Sequence, residues 1–371
     1  MPTSRVPVVV LTGHLGSGKT TLLNHLLRNR AGLRIGAVVN DFGSIPVDAL
    51  LVDGQVDAMA SFGNGCLCCA VDTEDLDAAL GRLADPATGI GLVVVEASGL
   101  AEPAALVRMV LASGHPRVVY GGLVHVVDAA EAERAPYPGF ADLLVLNKTD
   151  RVDAARRDGL LAALREAGGG APVVAAEQGR IDPRLLFDPA GAGGEPRARQ
   201  LSFADLLAED DTHDHAAHAH TPYESLAFET PGPLEPGAFM RFLDTRPAGL
   251  YRMKGFVSFG GGPADPSYAV HAVGRFLRFH PGAATGATRL VLIGAGLDTA
   301  ALRAGLAACV ATDWDTPGAA REGMGEVLRF VEHPEHPEHA PEPGAPDVAD
   351  PAHPYAAGPG APAAYGGAAA R

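Results

Sequence analysis

The chain has 371 residues, enough for two ordinary domains, and its 47% hydrophobic and 20% charged residues are typical of a globular protein. Its formal net charge of −15 argues against a nucleic-acid-binding surface, because dense lysine and arginine hold polyanions. No stretch is long and apolar enough to cross a membrane, and residues 1–5 lack the layout of a signal peptide. We therefore expect a cytoplasmic protein with reduced cysteines.

The first half of the chain alternates buried strands with helices. Residues 6–12 are an unbroken apolar run, typical of a strand in a parallel sheet, and residues 20–30 carry leucines at helical spacing. Similar patterns predict further strands at 34–40, 91–97, 118–127, 143–147 and 172–176, and helices at 72–83, 103–111 and 154–166. This alternation predicts an α/β domain with a mostly parallel sheet over residues 1–187.

The second half changes character twice. Residues 188–220 are small, acidic and rich in histidine, which predicts a linker. Strand patterns at 223–229, 250–259, 267–279 and 289–293, with helical patterns at 236–244 and 299–309, predict a smaller α+β domain over 221–330. Residues 331–371 are dominated by Pro, Ala, Gly and His, and we expect a disordered tail because they cannot bury a core.

A phosphate-binding loop follows the first predicted strand. Residues 13–20 match the pattern G-x-x-x-x-G-K-[ST] in full, and a predicted helix follows. We expect backbone N–H groups to converge on phosphates, Lys19 to reach the β- and γ-phosphates, and the Thr20 hydroxyl to ligate Mg²⁺. The complete motif disfavours a glycine-rich turn without a ligand. The predicted nucleotide contacts are Gly13, Gly16, Ser17, Gly18, Lys19, Thr20 and Thr21.

A second nucleotide motif comprises Asn147, Lys148, Thr149 and Asp150, at the end of an apolar strand. Guanine presents two adjacent N–H donors that the Asp150 carboxylate can accept together, whereas adenine presents no such pair. The alternative is that Asp150 only caps the next helix. Its position downstream of a complete phosphate-binding loop favours guanine recognition and predicts Asn147, Lys148 and Asp150 as base contacts.

Two other carboxylates end buried strands. Glu96 follows four apolar residues, at the edge where parallel sheets bind ligands, and is a candidate to hold the Mg²⁺ shell or orient the attacking water. The alternative is a cap of the following segment. For Asp128, at the end of another predicted strand, capping is as plausible as a role at the nucleotide.

Three of the four cysteines, Cys66, Cys68 and Cys69, lie within four positions. In a reducing compartment such a cluster is typical of a metal or redox site. Two thiolates with a third ligand suit Zn²⁺, with Co²⁺ and Cu⁺ as alternatives, and leave an open coordination position. Buried structural cysteines are the competing interpretation. Cys309 lies on a helical apolar pattern and is predicted to be core.

The chain resembles the CobW-like metallochaperone GTPases in four motifs and in their order along the sequence. These are the phosphate-binding loop, the cysteine cluster, the segment 96–99 and the motif 147–150. The CobW-like GTPases are relatives of the hydrogenase and urease nickel-insertion GTPases. The likeness covers about residues 6–330, and the segment 268–275 resembles part of the CobW C-terminal domain. It implies GTP-dependent delivery of a transition metal, usually zinc or cobalt, to a client, with Cys66, Cys68 and Cys69 as the metal site.

One segment departs from that family's pattern. The family often has Glu-Asn-Glu-Phe-Gly-Glu after its second strand, whereas residues 39–44 here read Val-Asn-Asp-Phe-Gly-Ser. An auxiliary metal site built from the outer glutamates is therefore not expected. Asp41 remains a candidate catalytic residue, for the Mg²⁺ shell or the water, beside Lys19 and Glu96.

Histidines cluster in the predicted linker at His213, His215, His218 and His220, and in the tail at His333, His336, His339 and His353. Neutral imidazole ligates Zn²⁺, Co²⁺ and Ni²⁺, so the linker histidines are a candidate auxiliary metal site. A compositionally biased linker without a role is the alternative.

The sequence thus predicts a GTPase that uses GTP and Mg²⁺ and carries Zn²⁺ or Co²⁺ to a client metalloprotein or cofactor-synthesis enzyme. Neither nucleic acid nor membrane is an expected partner, and a nucleotide-dependent homodimer is left open. The competing hypotheses are a metal buffer or sensor with incidental hydrolysis, and a metabolic P-loop kinase with structural cysteines.

Overall fold

A computed structural model describes residues 5–28, 33–40, 58–62, 73–97, 103–132, 139–187, 223–245, 248–260, 267–282, 286–312 and 323–331. Within these ranges the chain forms two sheets, one in each predicted domain. No helix in these ranges is both long and apolar enough to span a membrane.

Sheet A has seven parallel strands. In chain order its elements are β1 (Val6–Gly13), α1 (Lys19–Arg28), β2 (Arg34–Asn40), β3 (Ala58–Phe62), α2 (Thr73–Leu83), β4 (Ile90–Glu96), α3 (Pro103–Leu111), β5 (Val118–Asp128), β6 (Leu143–Asn147), α4 (Ala154–Ala167) and β7 (Val173–Ala175). The strand order is β3-β2-β4-β1-β5-β6-β7. Strands β1, β4 and β6 are buried along almost their whole length, as expected for a parallel sheet covered on both faces. The predicted α/β fold is confirmed; β3 was not among the predicted strands.

The register of sheet A aligns the carboxyl ends of its strands. Glu96 on β4 pairs with Leu11 on β1 and with Val39 on β2. On the other side of β1, Asp128 on β5 pairs with Asn147 on β6. Because ligands of open parallel sheets bind at this edge, the register brings the candidate polar residues of β4, β5 and β6 to the edge where a ligand would bind.

Sheet B has five antiparallel strands, with three helices in the same region of the chain. Its elements are β8 (Glu224–Thr230), α5 (Pro236–Asp244), β9 (Leu250–Ser258), β10 (Ser267–Val273), β11 (Phe276–Gly282), β12 (Thr288–Gly294), α6 (Thr299–Ala307) and α7 (Met324–Leu328), in the order β11-β10-β9-β12-β8. Exposed and buried residues alternate along β8, so one face of the strand packs inward. The smaller α+β domain is confirmed.

The strand-like stretch predicted at 267–279 is a hairpin, so that prediction was wrong in detail. Val273 pairs with Phe276, leaving Gly274 and Arg275 as the turn. Gly274 adopts a φ of 54°, which glycine tolerates readily. Because apolar residues stand on both sides of the turn, the sequence pattern does not show where the first strand ends and the second begins.

The core of sheet B packs aromatic and aliphatic side chains against the helices. Phe239 on α5 and Phe279 on β11 are fully buried, with ring centroids 6.4 Å apart. Cys309, just after α6, is buried, and its thiol donates to Gly305 O at 3.2 Å. Burial raises the pKa of the Cys309 thiol to about 11, which leaves it protonated at neutral pH. The prediction of Cys309 as a core residue is confirmed.

The two sheets meet at the beginning of β5. The register between β1 and β5 shifts at Gly121, and the Tyr251 hydroxyl donates to the Gly121 carbonyl at 3.2 Å. His271 Nε2 lies 2.9 Å from the Tyr120 carbonyl oxygen, and Val273 belongs to the core of sheet A. Residues of sheet B therefore contact β5, the strand that ends at Asp128 beside the phosphate-binding loop.

Candidate nucleotide and metal sites

The phosphate-binding loop needs its glycines. Gly13, Gly16 and Gly18 have φ values of 144°, 78° and 103°, which disfavour other residues. A Cβ atom on Gly18 would overlap the side-chain amide of Asn147, and one on Gly13 would overlap the Val126 carbonyl. The loop is thus packed tightly between β5 and β6 and keeps a conformation that only glycine fits.

Lys19 begins α1 and folds back over the loop. Its ammonium donates to the carbonyls of Gly13 at 3.0 Å and His14 at 3.3 Å, and the residue is only 7% exposed. A buried ammonium beside a helix N-terminus makes a positive site for phosphate.

Thr20 and Glu96 are brought into direct contact. The Thr20 hydroxyl donates to Glu96 Oε1 at 2.7 Å, and Glu96 is 3% exposed at the end of β4. A hydroxyl and a carboxylate side by side are the hard oxygen donors that Mg²⁺ prefers, so these residues fit the predicted magnesium site. Thr21, the next residue, is exposed.

Asn147 joins the two nucleotide motifs. Its side-chain amide donates to the Ser17 carbonyl at 2.9 Å, and its oxygen accepts from the Gly179 N–H at 2.8 Å. Lys148 follows with a φ of 59°, and its ammonium donates to the Gly16 carbonyl at 2.6 Å. The end of β6 is therefore bonded to the phosphate-binding loop at two points.

Asp150 lies in a short 3-10 turn, Thr149–Arg151, and is exposed. The helix that follows is capped by Asp153, whose carboxylate accepts from the Arg156 N–H at 2.8 Å. The alternative that Asp150 caps this helix is therefore wrong. Its carboxylate is accessible to a base.

The turn after β7, around Gln178 and Gly179, was not predicted from the sequence. Thr149 donates to the Ala176 carbonyl through both its N–H and its hydroxyl, at 3.2 and 3.1 Å. Gln178 and Gly179 have φ values of 52° and 68°, and a Cβ on Gly179 would lie 2.7 Å from the Leu22 nitrogen. Gly179, three residues after the strand predicted at 172–176, was the available signal. This turn lies against both Asn147 and α1, so it borders the candidate base site.

His125 lies next to Thr12, close to the start of the phosphate-binding loop, and its imidazole is uncharged at neutral pH. Its Nδ1 atom is 3.0 Å from the Thr12 hydroxyl, and burial, with the nearby charge of Lys19, lowers its pKa to about 4. An uncharged imidazole here adds no positive charge to that of Lys19.

Several predicted site residues lie outside the described ranges: Asp41, Cys66, Cys68, Cys69, His213, His215, His218 and His220, together with the tail histidines. In the ranges that the structure does describe, no group of three or more His, Cys, Asp or Glu residues could hold a metal ion. The metal site therefore stays a prediction from the sequence.

Comparisons with known proteins match both sheets. The family model described as the CobW/HypB/UreG nucleotide-binding domain matches residues 7–175, and that of the cobalamin synthesis protein cobW C-terminal domain matches 223–310. A protein named zinc chaperone CobW, from Sinorhizobium sp, is 30% identical over 363 residues, covering 82% of this chain and 98% of that protein.

Zinc chaperone YjiA of Escherichia coli (strain K12) is 32% identical over 199 residues, which cover 50% of this chain and 62% of YjiA. A crystal structure of Zn(II)-bound YjiA GTPase from E. coli aligns with 83% of this chain and 100% of that one, at 23% identity and a TM-score of 0.38. From the two matched domain models and the full-length relative, the chain belongs to the CobW family of P-loop GTPases.

Proposed function

We propose that this protein is a GTP-dependent metallochaperone, which binds zinc at Cys66, Cys68 and Cys69 and passes it to a client metalloprotein. Cobalt is the second candidate metal. The names of relatives support the metal: besides the zinc chaperones, a protein 38% identical over 112 residues, from Dictyostelium discoideum, is named zinc-regulated GTPase metalloprotein activator 1. That match covers 27% of this chain.

The observation that carries the proposal is the register of three adjacent strands. Glu96 on β4 pairs with Val39 on β2, and Asn40, the next residue, pairs with Phe62 on β3. Neighbouring strands are about 4.8 Å apart, so the ends of β4 and β3 are about 10 Å apart. Strand β3 ends at Phe62, and Cys66 comes four residues later in the sequence, which supports a metal site close to the nucleotide site.

At the nucleotide itself, each residue has a separate role. Lys19 and the loop N–H groups would hold the β- and γ-phosphates, and Asp150 would accept the two guanine donors. Thr20 and Glu96 would hold Mg²⁺, which neutralises charge developing on the phosphates. Glu96, or Asp41, which follows β2 in the sequence, would orient the attacking water.

The coupling between the two sites would run through the segment that follows β2. The last residue of β2, Asn40, pairs with β3, and Val39 before it pairs with Glu96 on β4, so an order induced by the γ-phosphate after β2 would act on both neighbouring strands. GTP would favour converged thiolates of Cys66 and Cys68, and hydrolysis would weaken the site and release the metal. The linker histidines would be an auxiliary metal site, secondary to the cysteines.

The competing function is a metal buffer or sensor whose hydrolysis is incidental. Such a protein needs no client and no difference in metal affinity between its GTP and GDP states. A client that accelerates hydrolysis would favour delivery.

The test is a titration with Zn²⁺ and Co²⁺, each with a non-hydrolysable GTP analogue plus Mg²⁺ and with GDP. We expect metal affinity to be roughly five- to 150-fold higher with the analogue, corresponding to about 1–3 kcal/mol of coupling. Because coupling is reciprocal, zinc should tighten binding of the analogue by the same factor. Calorimetry and the Co²⁺–thiolate absorption band would measure both.

The matched control uses the fourth cysteine. Replacing Cys66 and Cys68 by Ser should abolish the difference, whereas Cys309→Ser, in the core of sheet B, should preserve it. Deleting the histidines of the linker and tail should also preserve it. Equal metal affinity in both nucleotide states would leave a GTPase that carries metal without a delivery switch.

A further inference from the structure

The ammonium of Lys148 lies between two oxygens from different parts of the chain. It is 2.6 Å from the Gly16 carbonyl in the phosphate-binding loop and 2.7 Å from Asp128 Oδ2 at the end of β5. The Asp128 side chain is 11% exposed and that of Lys148 25%, so solvent screens this ion pair only in part. The pair thus joins β5, the turn after β6 and the loop.

The Asp128 carboxylate is also held by backbone contacts that do not involve Lys148. Its other oxygen, Oδ1, accepts from the Ala130 N–H at 2.9 Å. The backbone beside it is also anchored, because Asp128 pairs with Asn147 and the Ala129 N–H donates to the Asn147 carbonyl at 2.9 Å. A rigid anion therefore faces the end of a flexible four-carbon side chain.

We propose that Asp128 is a positioning residue for nucleotide binding, acting through Lys148. By holding the lysine across the loop, it orders that side chain before the nucleotide arrives. Ordering a lysine costs side-chain rotamer entropy, and a lysine that is already ordered avoids that cost when the nucleotide binds. The proposal rests on residues 147–150 forming the base site.

The position of the pair predicts which step it affects. Strand β5, which carries Asp128, lies on one side of β1, whereas β4, which carries Glu96, lies on the other. The pair should therefore alter the affinity for GTP and GDP alike, since both have the same base and diphosphate. The turnover of bound GTP depends on Thr20 and Glu96 and should change much less.

The test is a double-mutant cycle measured by nucleotide binding and turnover. Asp128→Asn keeps an oxygen for the Ala130 N–H but removes the charge. We expect about tenfold weaker binding of both GTP and GDP, equivalent to about 1.4 kcal/mol, with kcat reduced by less than about threefold. In a Lys148→Met background, Asp128→Asn should cause no further loss.

Two variants separate positioning from a general structural effect. Asp128→Glu keeps the charge and should retain most of the affinity even if Asp128→Asn folds poorly. Asp153→Asn makes the same chemical change at the N-cap that precedes α4 and should leave nucleotide affinity unchanged. Additive losses in the cycle, or a loss of GTP binding without a loss of GDP binding, would overturn the proposal.

The cycle is independent of the base assignment. If the wild-type protein binds ATP as tightly as GTP, guanine recognition by Asp150 is wrong. The same cycle can still be measured with ADP and ATP. Non-additivity there would retain Asp128 as a positioning residue for the loop, and additivity would reject it.

Discussion

The Thr20 hydroxyl donates to Glu96 Oε1 across 2.7 Å, which joins the first turn of α1 to the end of β4 beside the phosphate-binding loop. Glu96→Gln keeps the shape and a hydrogen-bonding oxygen but removes the charge. We expect this variant to bind GTP and to hydrolyse it about 10²–10⁴-fold more slowly, the range for loss of a positioned acid–base group. Single-turnover phosphate release would measure the rate separately from binding.

Lys19→Ala and Thr20→Ala should also abolish turnover while leaving the fold intact, since both act on the bound nucleotide rather than on the core. Glu166→Gln, an exposed carboxylate on α4, is the matched control and should hydrolyse GTP at the wild-type rate. Normal turnover in Glu96→Gln would reduce Glu96 to a structural partner of Thr20.

Asp150→Asn tests base recognition. The carboxylate is exposed and does not cap α4, so its replacement should spare the fold. We expect GTP affinity to fall by about 2–4 kcal/mol, because two guanine donors lose a charged acceptor. Competition between labelled GTP and ATP measures the selectivity. Asp153→Asn, three residues later, should keep it, and a wild-type protein without preference for GTP would refute the assignment.

Local patterns were enough to predict most of the fold and the parts of the nucleotide site that are contiguous in sequence. Apolar runs fully buried in a parallel sheet and a complete phosphate-loop motif leave few alternatives. Contacts over long separations could not be predicted, such as Lys148 with Asp128 or Tyr251 with Gly121. These contacts depend on the strand order and on a register shift in β5. The hydrophobic periodicity of one strand does not indicate which other strand it pairs with.

His125 should make stability depend on pH. Its pKa is about 4 in the folded protein, against an ordinary 6.5, so the unfolded chain binds the extra proton between these values. The contribution of His125 to the free energy of unfolding should therefore be fully present above pH 6.5. It should be lost as the pH falls toward 4, which lowers the free energy of unfolding by an amount on the order of 3 kcal/mol. His271, whose pKa is also lowered to about 4 by burial, should add a similar slope.

His125→Asn should remove roughly half of that dependence, because the contribution of His271 remains. Thermal unfolding midpoints of variant and wild type, measured from pH 8 to pH 4, would show the two curves converging at low pH. Parallel curves would mean that His125 is not the group that titrates.

The contact between the sheets gives a final prediction, at Gly122 in the bulged part of β5. Gly122 has a φ of 113°, and a Cβ there would lie 2.7 Å from the Tyr251 hydroxyl oxygen and 2.8 Å from Val273 Cγ1. Gly122→Ala should therefore combine backbone strain with displacement of Tyr251 and destabilise the protein by about 2–4 kcal/mol.

The control for backbone strain alone is Gly286→Ala, at a φ of 64° with nothing within 4 Å of the new Cβ. It should cost about 1 kcal/mol. Tyr251→Phe isolates the hydroxyl bond to Gly121 and should also cost about 1 kcal/mol, the typical value for a buried hydrogen bond. Chemical denaturation would give the three values. If Gly122→Ala costs no more than Gly286→Ala, Tyr251 is free to move, and the contact between the sheets at β5 is looser than these distances indicate.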